Sequence, residues 1–279
     1  MRHLRAVLLI SLASAIPCGI ACSLNNFSRE FGQDAATISD GGAGARFCAN
    51  KDAAYCFDFD QLEKPADYFT DPKPGQGTVA FDTSEYVSPP RSLSVGLPAD
   101  AGKTSYSVMV NQYRQHPTEL TYEVHFQVAQ APIPSTGHPS GDEAIFATIM
   151  KISFERAPND RDLAIHVRGQ DGVYKVYAYE HGYNVEPDGG PGFNDLEFLG
   201  RLRETQTPTS WSKLILRVRT VPELYVSAQL NDENERPLRM APNWQPIEPA
   251  FSIGLSYAQP LASPWTIRYD DILIDMKGN

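Results

Sequence analysis

The sequence predicts an all-β fold of two packed antiparallel sheets, a β-sandwich, and three observations carry that expectation. The 279 residues include 22 prolines and 20 glycines spread along the chain, a density of breakers that works against long helices. Between the breakers, apolar residues recur at every second position, the period of a strand with one buried face. No internal repeat and no composition break divides residues 47–279, which argues against a propeller and for one domain whose strands bury their faces on one another.

Residues 1–21 read as an export signal. Arg2 and Arg5 open it, and the apolar run that follows is too short for a comfortable membrane span and ends in small residues. Gly19-Ile20-Ala21-Cys22 is similar to the bacterial lipobox, in which cleavage precedes a cysteine whose thiol is then lipidated, although Gly19 stands where that motif usually has Leu. Cys22 is therefore the expected lipidation site, and Cys18, preceded by Pro17, is not. The expected destination is the outer membrane or cell surface. Plain secretion, or a periplasmic location, is the alternative, with cleavage after Ala15 or Ala21. Residues 22–46, rich in Ser, Asn, Asp, Ala and Gly and without apolar periodicity, read as a tether behind the lipidated cysteine.

Cys48 and Cys56 remain just before the first strand-like segment. In an exported chain they are expected to form a disulfide, since no further cysteine or nearby histidine completes a metal site.

The strands follow. Phe57 and Phe59 alternate with Asp58 and Asp60; Leu93, Val95 and Leu97 alternate with small residues. The same period runs through Tyr122–Val128, Leu163–Val167, Leu214–Val218 and Leu224–Leu230. Residues 145–154 and 251–257 are more continuously apolar, as central strands are. About ten or more strands result, and no amphipathic helix of any length. The formal net charge of −10 and pI of about 5.1 exclude a nucleic-acid partner bound by phosphate neutralisation.

Four segments together carry a resemblance. The domain opens with Cys56-Phe57-Asp58-Phe59-Asp60 and closes with Tyr269-Asp270-Asp271-Ile272-Leu273-Ile274-Asp275. Between them lie Ser88-Pro89-Pro90-Arg91-Ser92-Leu93 and Trp211-Ser212-Lys213-Leu214-Ile215-Leu216. In this order they resemble the concanavalin A-like lectin/glucanase (LamG-like) jelly rolls, in particular those of exported bacterial lipoproteins. The resemblance implies a jelly roll with adjacent first and last strands and a concave face that often meets carbohydrate.

The catalytic motifs of such folds do not carry over. The glucanase pattern Glu-x-Asp-x-x-Glu, which sets acids on one strand face, finds only Glu186-Pro187-Asp188 followed by Gly189-Gly190-Pro191, a turn. Ala164-Ile165-His166-Val167-Arg168 and Tyr174-Lys175-Val176-Tyr177 are superficially similar to alginate-lyase strands, but Ala164 replaces the family's Gln and its Arg-x-Glu-x-Arg strand has no counterpart. No zinc-protease, redox-dithiol, nucleophile-elbow or phosphate-loop motif occurs. The expected function is thus a non-catalytic carbohydrate-binding or adhesive lipoprotein. A diverged lyase-like enzyme built on His166, Arg168 and a tyrosine, and a structural envelope protein, are the alternatives.

Two sets of residues are candidates for a site. His125 and Gln127, His166 and Arg168, and Lys175, Tyr177 and Tyr179 point away from the core side of their strands. If those strands neighbour one another, they make a cationic and aromatic face suited to an anionic polysaccharide or glycan, rings stacking on sugars and cations pairing with carboxylates or sulfates. The same residues could equally be a solvated sheet face. Gly169-Gln170-Asp171-Gly172 should turn the second pair of strands into a hairpin. Asp58, Asp60, Asp270 and Asp271 would converge if the terminal strands pair. The resemblance implies a structural Ca2+ there, and edge-strand solubilising charge is the plainer reading.

Overall fold

In the computed structural model the described residues are 47–99, 107–113, 116–133, 145–154, 161–170, 172–182, 192–202, 210–240, 249–259 and 263–278. Apart from two short 3-10 turns at Phe47–Asn50 and Pro65–Tyr68, the regular structure among them is β.

One sheet runs, edge to edge, β13 (Arg236–Leu238), β12 (Tyr225–Leu230), β11 (Ser212–Arg219), β6 (Glu119–Gln130), β15 (Trp265–Lys277), β4 (Ser92–Leu97) and β3 (Thr78–Asp82). The short β1 (Tyr55–Phe57) pairs with β15 beside that path, Cys56 opposite Leu273 and Phe57 opposite Ile272. The second sheet runs β10 (Gly192–Arg201), β9 (Val173–Gly182), β8 (Arg161–Gln170), β7 (Ile145–Phe154), β14 (Pro249–Gln259), β5 (Ser107–Gln112) and β2 (Asp71–Lys73). All these pairings are antiparallel. The adjacency of the first and last strands is as the resemblance implied, and residues 145–154 and 251–257 lie in central strands.

The alternation becomes the core. Leu214, Leu216 and Val218 of β11, Tyr122, Val124 and Phe126 of β6, and Ile267 and Tyr269 of β15 are buried from one sheet. Ile149 and Ile152 of β7, Leu163, Ile165 and Val167 of β8, and Ile253 and Leu255 of β14 meet them from the other. Aromatic contacts cross the gap, as between Tyr122 and Phe251 with ring centroids 5.0 Å apart.

A buried polar link at Tyr269 joins the sheets. The Tyr269 hydroxyl donates to the Ile149 carbonyl (2.5 Å) and accepts from the Gly254 amide (3.0 Å). Both partners sit where the β7–β14 register slips between Ile253 and Tyr257. Gly254 has φ +117°, and a Cβ there would lie 2.2 Å from the Ser107 carbonyl oxygen, so only glycine fits.

Cys48 and Cys56 form a disulfide, Cα atoms 5.7 Å apart. This fits an exported chain rather than a cytosolic one. No helix among the described residues is long and apolar enough to cross a membrane. Cys22 and the tether lie outside the described residues.

Candidate functional site

The outer face of the seven-stranded sheet is built by register. His166 on β8 stands opposite Tyr177 on β9, and Arg168 opposite Lys175, about the turn that contains Gly172 (φ +78°). Core-facing Leu163, Ile165 and Val167, with Tyr174, Val176 and Ala178 on β9, leave those polar residues on one outward side. The hairpin expected from Gly169–Gly172 is present, with both polar sets on the same face.

Continuing the register outward gives two rows that cross the strands. In the first, Gln259, Phe146, Arg168, Lys175 and Arg201 are successive Cα partners from β14 to β10. In the second, Tyr257, Thr148, His166, Tyr177 and Phe198 are. The first row is cationic at three consecutive strands, with about 4.8 Å between neighbours. A bulge between Phe198 and Gly200 brings Arg201 opposite Lys175.

Around the second row lies an aromatic band in which Phe146 of the first row bridges the gap at Thr148 and Tyr179 joins His166 to Tyr177. Phe146 packs edge-on against His166 (4.5 Å) and tilts against Tyr257 (5.5 Å). Tyr177 contacts Phe198 at 5.3 Å and Tyr179 at 6.3 Å. The Arg168 guanidinium lies over the rings of Tyr179 (4.7 Å), Tyr177 (5.3 Å) and Phe146 (5.5 Å). Among the described residues, ring faces rather than carboxylates hold it in place.

His166 is only 2% exposed and its Nδ1 is buried without a hydrogen-bond partner. Burial, then the charge of Arg168, pushes its pKa down to about 3, so the ring is neutral at neutral pH. It acts as an aromatic plate in the band and is a weak base. At the other end of the face, Asp162 meets Lys151 in a short ion pair and His181 Nδ1 at 3.6 Å. Burial alone would raise the Asp162 pKa, but hydrogen bonds from His181, Lys151 and Ser153 hold it at about 2.

Two of the seven expected face residues belong elsewhere. His125 and Gln127 are on β6, in the eight-stranded sheet, and do not join the other five. Gln127 accepts a hydrogen bond from Arg268 Nη1 (2.9 Å), and Arg268 Nε pairs with Asp82 (2.7 Å). His125 Nδ1 is 3.8 Å from Asp271 Oδ2. Alternation assigns a residue to a side of its own strand, whereas sheet membership depends on which distant strands pair. Conversely, Phe146, Phe198, Arg201 and Tyr257 escaped the sequence reading. Phe146 sits in an apolar run, and β10 shows little period-two signal because bulges interrupt it.

The aspartates also differ from expectation. Asp58, Asp270 and Asp271 are buried where β1 meets β15. Among the described residues, however, no group of three or more His, Cys, Asp or Glu side chains is placed to hold a metal ion, so Asp58, Asp60, Asp270 and Asp271 do not assemble the expected calcium cluster. Asp270 and Asp271 are engaged by the Val87–Ser88 segment instead. Asp270 Oδ2 accepts from the amides of Val87 (2.7 Å) and Ser88 (3.0 Å), and Asp271 Oδ1 accepts from Ser88 Oγ (2.6 Å). Burial, then the neighbouring Asp271 charge, raises the Asp270 pKa to about 7.

No family model matches the chain, and no curated protein matches it. Solved structures do. An endo-β-1,4-glucuronan lyase from the fungus Trichoderma reesei superposes with a TM-score of 0.55 at 13% identity, covering 81% of this chain and 96% of the lyase. The fold is that of the jelly-roll sandwiches. An alginate lyase from Pseudomonas aeruginosa gives a TM-score of 0.47 at 13% identity, covering 71% and 86% of the two chains. A structure from work on endo-acting O-glycanases of the human gut microbiota gives 0.46 at 10% identity, covering 81% and 100%. At these identities the likeness speaks to the fold alone.

Proposed function

We propose that the outer face of the seven-stranded sheet binds an anionic polysaccharide laid across the strands, and that the protein presents this face from a lipid anchor at Cys22. One observation carries the reading: Arg168, Lys175 and Arg201 form a cationic line immediately beside the band of Tyr257, His166, Tyr177 and Phe198. Sugar rings stack on such a band while carboxylates or sulfates meet the cations. Arg168, Lys175 and Tyr177 are the contacting set, with Arg201, Phe146 and Phe198 added to it, and the buried rings of His166 and Tyr179 support it from beneath.

Binding without catalysis is the favoured form. Against β-elimination at His166 stand its burial, its low basicity and the ring of Tyr179 stacked on it. The structurally similar lyase acts on glucuronan, so polyglucuronate heads the panel of probes.

The test is calorimetric titration with polyglucuronate, alginate, polygalacturonate and a neutral glucan, at low and high salt. Binding to one or more polyanions that weakens with salt is expected, with none to the neutral glucan. An absence of binding to every polyanion at low salt overturns the reading. Rising absorbance from unsaturated products during the titration overturns its non-catalytic part.

A further inference from the structure

Beyond the edge strand β10 the two rows run into a cavity of about 510 Å³. That volume lies within the range of small-ligand sites, roughly 300–1,000 Å³. Phe198 and Arg201 form its near wall, and Asn231, Asp232 and Glu233 from the turn between β12 and β13, with Arg236 at the start of β13, form its far wall. Phe198 is shared, since its ring also contacts Tyr177 in the band. Arg201 is shared too, as the last cation of its row.

The far wall is preorganised. Asn231 accepts from the Lys213 amide through Oδ1 (2.8 Å) and donates its own amide to the Lys213 carbonyl (2.7 Å). The Glu233 amide closes the turn on the Leu230 carbonyl (3.1 Å). Arg236 is held through Nη1 by Glu197 (3.3 Å), while its Nε is buried without a hydrogen-bond partner. A buried donor in that state calls for an acceptor. Two guanidinium groups, two carboxylates and a ring together suit one sugar unit read by its hydroxyl groups rather than by charge alone.

We propose that this cavity is a terminal subsite that seats the end unit of a chain lying on the rows, so that the protein recognises chain ends rather than interior stretches. The inference rests on the polysaccharide reading above. The turn between β12 and β13 lines the cavity beside Phe198 and Arg201, at the β10 end of a path across β8, β9 and β10.

Polyglucuronate, intact and cut to defined short lengths, tests it by competition at equal mass concentration. Competition by the wild-type protein's short chains should improve in proportion to the number of ends. That advantage should be lost in Arg236→Gln, which keeps most of the side-chain stem, and in Phe198→Ala, with melting temperatures confirming that both variants fold. If intact and cut chains compete equally per unit mass and binding still weakens with salt, the subsite is overturned and the face reading stands. If neither form binds, both fall.

Discussion

His166 lies nearly flat on Tyr179, ring centroids 4.1 Å apart and planes 19° from parallel, although the two are not register partners. His166 faces Tyr177 across the ladder, and Tyr179 faces Ala164. The small Ala164 side chain leaves the space into which the imidazole leans, so a diagonal pair closes where a larger residue would have blocked it. The stack buries His166, keeps it neutral and lets Arg168 lie over three rings.

If that arrangement is a binding surface, Arg168→Ala and Tyr177→Ala should each weaken polyanion binding by about 1–3 kcal/mol without unfolding the domain. Gln127→Ala, on the other sheet, should leave the affinity where it was. Calorimetry on the three variants checks this, and an equal loss in all three would point to general destabilisation instead of a site.

The pH dependence of stability should contain two opposing contributions. His166 has a folded pKa of about 3 against an ordinary 6.5, so the unfolded chain binds the extra proton, and stability is lost as pH falls below about 6.5. Asp270 has a folded pKa of about 7 against 3.8, so the folded chain binds the extra proton, and stability is lost as pH rises from about 4 to 7. Each slope is roughly 1.4 kcal/mol per pH unit at most, and between about pH 4 and 6.5 they offset. Urea denaturation across that window should show a falling profile in His166→Phe and a rising one in Asp270→Asn. Parallel profiles in the two variants would contradict the assignment.

Removing the hydroxyl that links the sheets should be costly for its size. Tyr269→Phe leaves the Ile149 carbonyl and Gly254 amide without that buried partner, a loss of about 1–3 kcal/mol. Chemical denaturation measures it directly. A change below about 0.5 kcal/mol would mean the bond contributes little.

The anchor is tested in cells. Cys22→Ser should still be exported but should leave the membrane fraction, because a lipid chain rather than a spanning helix would hold the protein there. Fractionation followed by immunoblotting reads the outcome, and unchanged membrane association would remove lipidation from the account.

Much of the fold was legible in the sequence because its cause is local. Leu214, Leu216 and Val218 alternate with Lys213, Ile215 and Arg217 whatever the rest of the chain does, and that alternation already separates a buried side from an exposed one. The β8–β9 hairpin was legible for the same reason. Only a short turn links its strands, so His166, Arg168, Lys175 and Tyr177 could be placed on one face from parity.

What the sequence determined by itself was therefore the strand period, the hairpin, the pairing of Cys48 with Cys56 and an all-β class. The tertiary structure alone decided which strands meet outside that hairpin. It moved His125 and Gln127 to the eight-stranded sheet, brought Phe146, Arg201 and Phe198 beside the hairpin, and turned Asp270 toward Val87 and Ser88. The reason is physical. Side-chain parity is set by the backbone of one strand, whereas the order of strands in a sheet is set by the packing of all the buried faces together, across sequence separations such as the 183 residues between Val87 and Asp270.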